Sequence, residues 1–503
     1  MKKTILFTFI ALFVSNHLAL GQQNQGILSP SNGFVANMDC CQTIDHYLLQ
    51  IEHDKNFSGG LLIIKDGIKI FSKAYGWANK EKKTPFTPNT LASMGSITKA
   101  FTATAILKLC EQGKLSLNDS LKHFFPNCPS DKSGVTVHQL LTHSAGFHEF
   151  LKDDGGDYAK LEQPEFLLRA FNEPLSFKPG EKAIYTNVGM SILSVIIEQV
   201  SGMEYEAFLK KELFEPVEIH RIGYYSPPAP TEESIAHGYQ NGQDWGTIQR
   251  HFIDAGGGPY YNLKGNGGLE ASLEDMFLWS NAIRDNKVLS AMSLRKMFTP
   301  HVVEEGYNGK SFFGYGCNIS TSKRNTTMIS NGGSNGIYFA RWVRLPEEGL
   351  TFYMVTNEST INTNMVLPNV TQLYFQGKIE QDATTIQAQF DSPLAKKIAD
   401  IVEMPTTTDL ETTLTKEKIV VEDDMVLLDV GQSLIRQSKW EKALMLYRYY
   451  TKSYPNIVVA WNDMGDIYRM QSNKPEAKKC YQEALKLRPQ NPRAKENLSK
   501  LGD

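Results

Sequence analysis

Apolar residues along this chain change their spacing several times, and each change marks an element. Behind Lys2 and Lys3, residues 5–14 form an unbroken apolar run, and a polar stretch rich in Gln, Asn, Gly, Ser and Pro follows at 22–39. Ile44, Leu48 and Ile51 then recur at helical intervals, predicting a helix over 43–52. At 61–64 and 68–71 two short apolar runs flank Asp66-Gly67, which is a hairpin signal. A second helix starts at Ser96, runs through Phe101, Ala105, Ile106 and Leu109, and stops at Gly113. Residues 135–147 read as a short helix closed by a glycine turn. Tyr185-Thr186-Asn187 falls on a loop before the apolar helix 191–200, where side chains can point into a cleft. Leu273, Met276, Phe277 and Trp279 place a packed helix over 269–282. Strands return at 313–316, 327–329, 337–345 and 350–356. Asn331-Gly332-Gly333-Ser334 lies between two of them, where missing side chains let a substrate approach the strand edge.

The strand pattern ends at 376, and a linker rich in Thr, Asp, Glu and Lys, with a helix at 393–402, occupies 377–422. From 423 to 503 a repeat with a period of 34 residues emerges. Trp461, Met464, Gly465, Tyr468, Ala477, Tyr481, Ala484 and Pro489 match the tetratricopeptide pattern, and Leu427, Val430, Gly431, Leu434, Ala443, Tyr447, Tyr450 and Pro455 form a degenerate copy in phase. Two copies are too few to stand alone, so they are expected to lean on the rest of the chain or on a helix near Leu410 and Leu414. A peptide-binding groove and a packing or spacer module are both consistent with them.

A length of 503 residues asks for more than one ordinary domain. A net charge of -3 gives no electrostatic reason to expect nucleic acid. The apolar run at 5–14 is about half of the ~20 residues that span a bilayer, and Ala19-Leu20-Gly21 offers a small-x-small cleavage site. Residues 1–21 therefore read as a signal peptide, 22–39 as a leader, and the mature chain as periplasmic or secreted with no membrane span. Six cysteines without a C-x-x-C spacing read mainly as buried or incidental thiols. The glycine-rich stretch 256–268 lacks the phosphate-cradle pattern and reads as turns beside a cleft. His143 and His148, five apart, fit helical metal-ligand spacing badly and read as structural. No cofactor and no metal are expected.

The chemistry centres on Ser96 and Lys99, which a helix start brings to one face. A serine hydroxyl needs a base, and a lysine becomes one when burial lowers its pKa. The helix N-terminus would favour the oxyanion formed when Ser96 attacks a carbonyl. The spacing alone carries nothing, since Ser293/Lys296 and Ser320/Lys323 share it. Its company carries the weight.

In that company the sequence resembles the serine beta-lactamase and penicillin-binding-protein superfamily, in particular the class C beta-lactamase-like branch with its D-peptidase and esterase relatives. Ser96-Ile97-Thr98-Lys99 looks like the family's S-x-x-K, and Tyr185-Thr186-Asn187, behind Phe177-x-Pro179-Gly180, like its Y-[ST]-N. Leu140 to Gly146 and Gly267-Gly268-Leu269 resemble further stretches of that branch. The resemblance implies an α+β fold over 40–376, an antiparallel sheet flanked by helices plus a helical subdomain, followed by the all-α repeats. It implies Ser96 as acylated nucleophile, Lys99 and Tyr185 sharing proton transfer, Asn187 bonding the substrate amide, and the N–H groups of Ser96 and Ser334 as oxyanion hole. The third motif, normally Lys or His before a small residue and Gly, is here Asn331-Gly332-Gly333. Asparagine supplies no cation for a substrate carboxylate, which moves the expectation from beta-lactams and D-peptides toward esters and amides, unless Arg341 or another base compensates. The expected function is an exported serine hydrolase; a catalytically weak protein that binds through its cleft and repeats is the other reading.

Overall fold

The structure is a computed structural model that describes residues 38–501, apart from 56, 153, 225–233, 241, 308, 360–362, 380–392, 405–408, 422–424, 437–438 and 490. The signal peptide and nearly all of the leader lie outside the described residues.

An eight-stranded antiparallel sheet organises the larger part. Its strands are β1 (Gly59–Lys65), β2 (Ile68–Tyr75), β3 (Val302–Val303), β4 (Ser311–Phe313), β5 (Asn318–Thr321), β6 (Thr327–Ser334), β7 (Phe339–Leu345) and β8 (Leu350–Thr356), in the order β2-β1-β8-β7-β6-β5-β4-β3. The first hairpin is thus closed against the last strand, with Gly59 opposite Thr356 and Lys65 opposite Leu350. Strand side chains alternate between faces, and here both faces are covered. Leu61, Ile63, Phe352 and Met354 pack with Ile44, Leu48 and Val370 of helices α1 (Met38–Lys55) and α5 (Thr363–Gln376). Leu62, Ile64, Tyr353 and Val355 face the opposite core, with Phe101 and Trp279. Double coverage accounts for the unbroken apolar run in β1, because a strand buried on both sides needs no polar alternation.

Helix α2 (Thr98–Glu111) is buried from Thr98 through Leu107, so no face of that stretch is left to solvent. Phe101 holds it 4.5 Å, ring to ring, from Trp279 of α4 (Leu273–Arg284) and 5.5 Å from Phe214. Helix α3 (Asn187–Ser201) packs on it and is also buried along most of its length.

Three expectations are corrected, and one strand is added. The Asn331–Ser334 stretch is not a gap between strands: β6 runs through it, with Gly332 opposite Arg341 and Gly333 opposite Ala340. Glycines read as a break because they weaken a strand, but here they keep the ladder and only remove side chains. Asn187 is not on the loop; it opens α3, because Thr186 caps that helix by accepting from the Gly189 N–H at 3.1 Å. The element read as one helix over 269–282 is a bridge strand, Glu270–Ala271, followed by α4, whose Ser272/Asp275 capping box sets its start. Strand β5 has no counterpart in the hydrophobic pattern, its residues Asn-Ile-Ser-Thr carrying one apolar side chain.

The C-terminal helices share a core of their own. Met425–Arg436, Trp440–Ser453, Val458–Met470, Lys474–Leu487 and Pro492–Leu501 carry the repeats and the final helix. A Cβ on Gly431 would strike the Tyr447 ring and one on Gly465 the Tyr481 ring, so the 34-residue repeat is a repeated glycine–tyrosine contact. Leu410 and Leu414 lie in the same core, as do Ile398, Ile401 and Val402 of the helix Pro393–Glu403. These flanking helices supply the surface that two repeats alone would leave bare.

Candidate active site

Ser96 stands in a 3₁₀ turn, Gly95–Ile97, that leads into α2, and Lys99 is the second residue of that helix. The Lys99 amine, 2% exposed, donates to Ser96 Oγ at 3.0 Å, to Asn187 Oδ1 at 2.6 Å and to the Asn266 carbonyl at 2.6 Å. Burial holds its pKa down at about 7, while the carboxylates of Glu149 and Asp157 pull the other way. A buried ammonium loses hydration that three hydrogen bonds only partly replace, and so it gives up its proton near neutrality.

Tyr185 completes the set. Lys99 Nζ lies 4.6 Å from its ring centroid, and its hydroxyl makes a hydrogen bond with Ser96. Burial pushes that hydroxyl well above the usual tyrosine range, the Ser96 bond opposes this, and Glu149, Glu304 and Asp157 reinforce it. The group is therefore a phenol at neutral pH, and of the pair it is Lys99 that reaches its neutral form near pH 7.

The loop carrying Tyr185 is built from the two stretches singled out beside it. The Gly180 N–H donates to the Ser144 carbonyl at 2.8 Å, Ser176 N–H to Gly146 O at 2.8 Å, and Ile184 N–H to His143 O at 3.1 Å. His143, buried and with φ of 55°, accepts from the Thr186 N–H at 3.2 Å and lies ring to ring with Tyr185 at 4.9 Å and with Phe313 at 4.7 Å. Burial, then Lys99, depress its pKa to about 3, so it is a neutral imidazole that shapes the loop. His148 is exposed and bonds Ser176 Oγ at 2.9 Å.

Opposite the serine, glycine is required for contact. Gly95, at φ +50°, would with a Cβ come within 2.5 Å of the Ser334 nitrogen. A Cβ on Gly333 would collide with the Met94 carbonyl and sit 2.7 Å from the Ser96 nitrogen. The backbone N–H groups of Ser96 and Ser334 are thereby held close to one another, on a helix start and a strand edge. Ser334 Oγ accepts from the Gly336 N–H at 2.9 Å. Asn331 turns inward: it is 5% exposed, and its Nδ2 donates to the Gly316 carbonyl. Arg341 Nη1 lies 3.6 Å from the Cβ position of Gly332, so a guanidinium does neighbour the third motif.

Sequence reasoning missed Asn266, whose carbonyl holds Lys99 and whose Nδ2 donates to Ser191 Oγ at 2.8 Å. It missed Glu149 and Asp157 as well. A backbone acceptor leaves no residue-type signal, and the two acids lie on a segment with no regular periodicity. All six cysteines are free thiols. Among the described residues no helix is long and apolar enough to cross a membrane.

A family profile described as beta-lactamase matches residues 44–371, and one described as tetratricopeptide repeat matches 458–491. The chain is 30% identical over 267 residues to the putative penicillin-binding protein PbpX of Bacillus subtilis, across 53% of this chain and 64% of that one. It is 25% identical over 316 residues to penicillin-binding protein 4* of the same organism, across 60% and 68%. Protein flp of Staphylococcus aureus is 32% identical over 183 residues, across 35% of this chain and 37% of that one. Among solved structures, the octameric penicillin-binding protein homologue from Pyrococcus abyssi is 28% identical with a TM-score of 0.59, covering 72% of this chain and 82% of that one. The penicillin-binding protein from Bacillus halodurans is 25% identical with a TM-score of 0.56, covering 65% and 99%. The sheet, the motif spacing and a profile match over more than half of its length agree, and the chain belongs to the beta-lactamase family, generally serine hydrolases, with a tetratricopeptide repeat following the family domain.

Proposed function

We propose that the chain is an exported serine hydrolase that cleaves esters or amides through a Ser96 acyl-enzyme. The convergence of Ser96, Asn187 and the Asn266 carbonyl on a buried Lys99 amine carries this reading. In the neutral form Lys99 takes the proton from Ser96 Oγ as that oxygen attacks the substrate carbonyl carbon. The N–H groups of Ser96 and Ser334 donate to the oxyanion. Tyr185 passes its proton to the departing alcohol or amine and regains one from Lys99, and Asn187 holds Lys99 while its amide bonds the substrate. Water then attacks the acyl-enzyme, its proton returning through the same pair, and frees Ser96. Export is supported by the two lysines and apolar run at the start of the sequence.

Neutral acyl groups are favoured because Asn331 brings no cation and spends an N–H on Gly316. Beta-lactams or D-amino-acid peptides stay within reach through Arg341 beside Gly332. The inward turn of Asn331 is also what favours the second reading, a catalytically weak protein that binds through its cleft and repeats. Turnover of p-nitrophenyl acetate and of D-alanine amide separates the two. Hydrolysis that disappears in Lys99→Ala supports the enzyme, and the absence of turnover on both supports the binder.

A further inference from the structure

Residues 154–161 join the active site to the repeats. On the catalytic side, the Tyr158 hydroxyl accepts from Asn335 Nδ2 at 2.9 Å, one residue beyond Ser334. The Tyr158 ring packs at 5.2 to 5.7 Å from His251, Trp245 and Phe252. Asn262 Nδ2 donates to the Gly156 carbonyl, and Tyr261 N–H donates to Leu161 O at 3.0 Å. On the other side, the Asp154 carboxylate accepts from Gly156 N–H at 2.8 Å and from Arg488 Nη2 at 3.4 Å. Arg488 is the residue that ends the helix Lys474–Leu487 of the tetratricopeptide repeat. The Asp154 side chain is 7% exposed and that of Arg488 29%.

Between these anchors sits Asp157. The charged and titratable groups around it are Asp154 and Tyr158 from its own segment, Lys99 from α2 and Arg488 from the repeat. Lys99 in turn faces Ser96, Tyr185, His143, Glu149 and Asp157. Two carboxylates held together at low exposure repel and are costly to desolvate unless a cation accompanies them. Lys99 and Arg488 are the cations beside this pair, and Arg488, which bonds Asp154 directly, comes from the repeat.

We infer that Arg488 is a positioning residue for the active site: by pairing with Asp154 it fixes the segment that sets Asp157 opposite Lys99 and Tyr158 behind the oxyanion strand. The repeats would then act on catalysis by geometry and charge, whether or not they bind a peptide. This rests on the Ser96 nucleophile proposed above. Without Arg488, Asp157 takes up a proton at higher pH or moves away. Either change removes negative charge from Lys99, whose amine then loses its proton at lower pH.

The test uses the full chain and a fluorophosphonate, which forms a P–O bond to Ser96 and expels fluoride. For Arg488→Ala the labelling rate at its plateau should fall roughly tenfold, since small misplacements far from the chemistry can cost up to about a hundredfold. Its acid limb should move to lower pH. Arg488→Ala combined with Asp154→Asn should recover most of the rate and return the limb toward its original position. Labelling of Arg488→Ala at the wild-type rate with an unmoved limb overturns the inference alone. A slower rate with an unmoved limb overturns it too, because loosened packing would do as much. A wild-type chain that takes no label overturns the nucleophile reading and the inference together.

Discussion

Lys99 is surrounded by acceptors and almost fully buried, an unusual setting for an amine that brings its pKa down to about 7. Below about pH 7 it carries a proton and cannot accept one from Ser96; above, the lone pair is available. The acylation rate should therefore rise with pH through a midpoint near 7, and a stopped-flow profile with a labelled ester checks it. Tyr185, pushed upward by burial, titrates outside that window and should add no limb of its own near neutrality. Lys99→Ala should slow acylation by about 10² to 10⁴, the span of a lost general base. Arg341→Ala offers a substrate test at the same scale. If a carboxylate-bearing substrate is used, its KM should rise while that of a neutral ester stays unchanged.

Elements, more than residues, decide whether these groups meet. Gly333 lets β6 press against the Ser96 turn, and Gly333→Ala should remove most labelling of Ser96 because its methyl would collide with the Met94 carbonyl. Thr186 caps α3, and Thr186→Ala should lower stability by about 1 kcal/mol, read from denaturant melts, with a larger effect on kcat than its size suggests. This is also the scale at which sequence reasoning was strongest and weakest. The Ser96/Lys99 pairing was legible because three residues of helical spacing fix two side chains locally. The nearness of Tyr185 was legible only through resemblance, since it lies 86 positions beyond Lys99 on a loop built on Ser144, Gly146 and His143. The strand through Gly332 and Gly333 was hidden because the glycine signal for a break and for a close approach is the same. Asn266 acts through its backbone and could not be read at all.

In the molecule as a whole, a core lies on each face of the sheet and another belongs to the C-terminal helices. Tyr481 sits in the C-terminal core, against Gly465 and bonded to Asp466. Tyr481→Ala should cost about 3–5 kcal/mol of that unit and lower its melting transition in calorimetry. If Arg488 positions the active site, the same variant should also slow acylation. A unit that serves only as a spacer would melt with no effect on the rate.

The central claim is that Ser96 becomes acylated by virtue of its neighbours. The most direct measurement is intact-protein mass spectrometry after incubation with a fluorophosphonate, with the adduct located by peptide mapping. One adduct on Ser96, absent in Ser96→Ala and strongly slowed in Lys99→Ala, is the predicted result. An unmodified wild-type chain, or equal modification of Ser96→Ala, would contradict it.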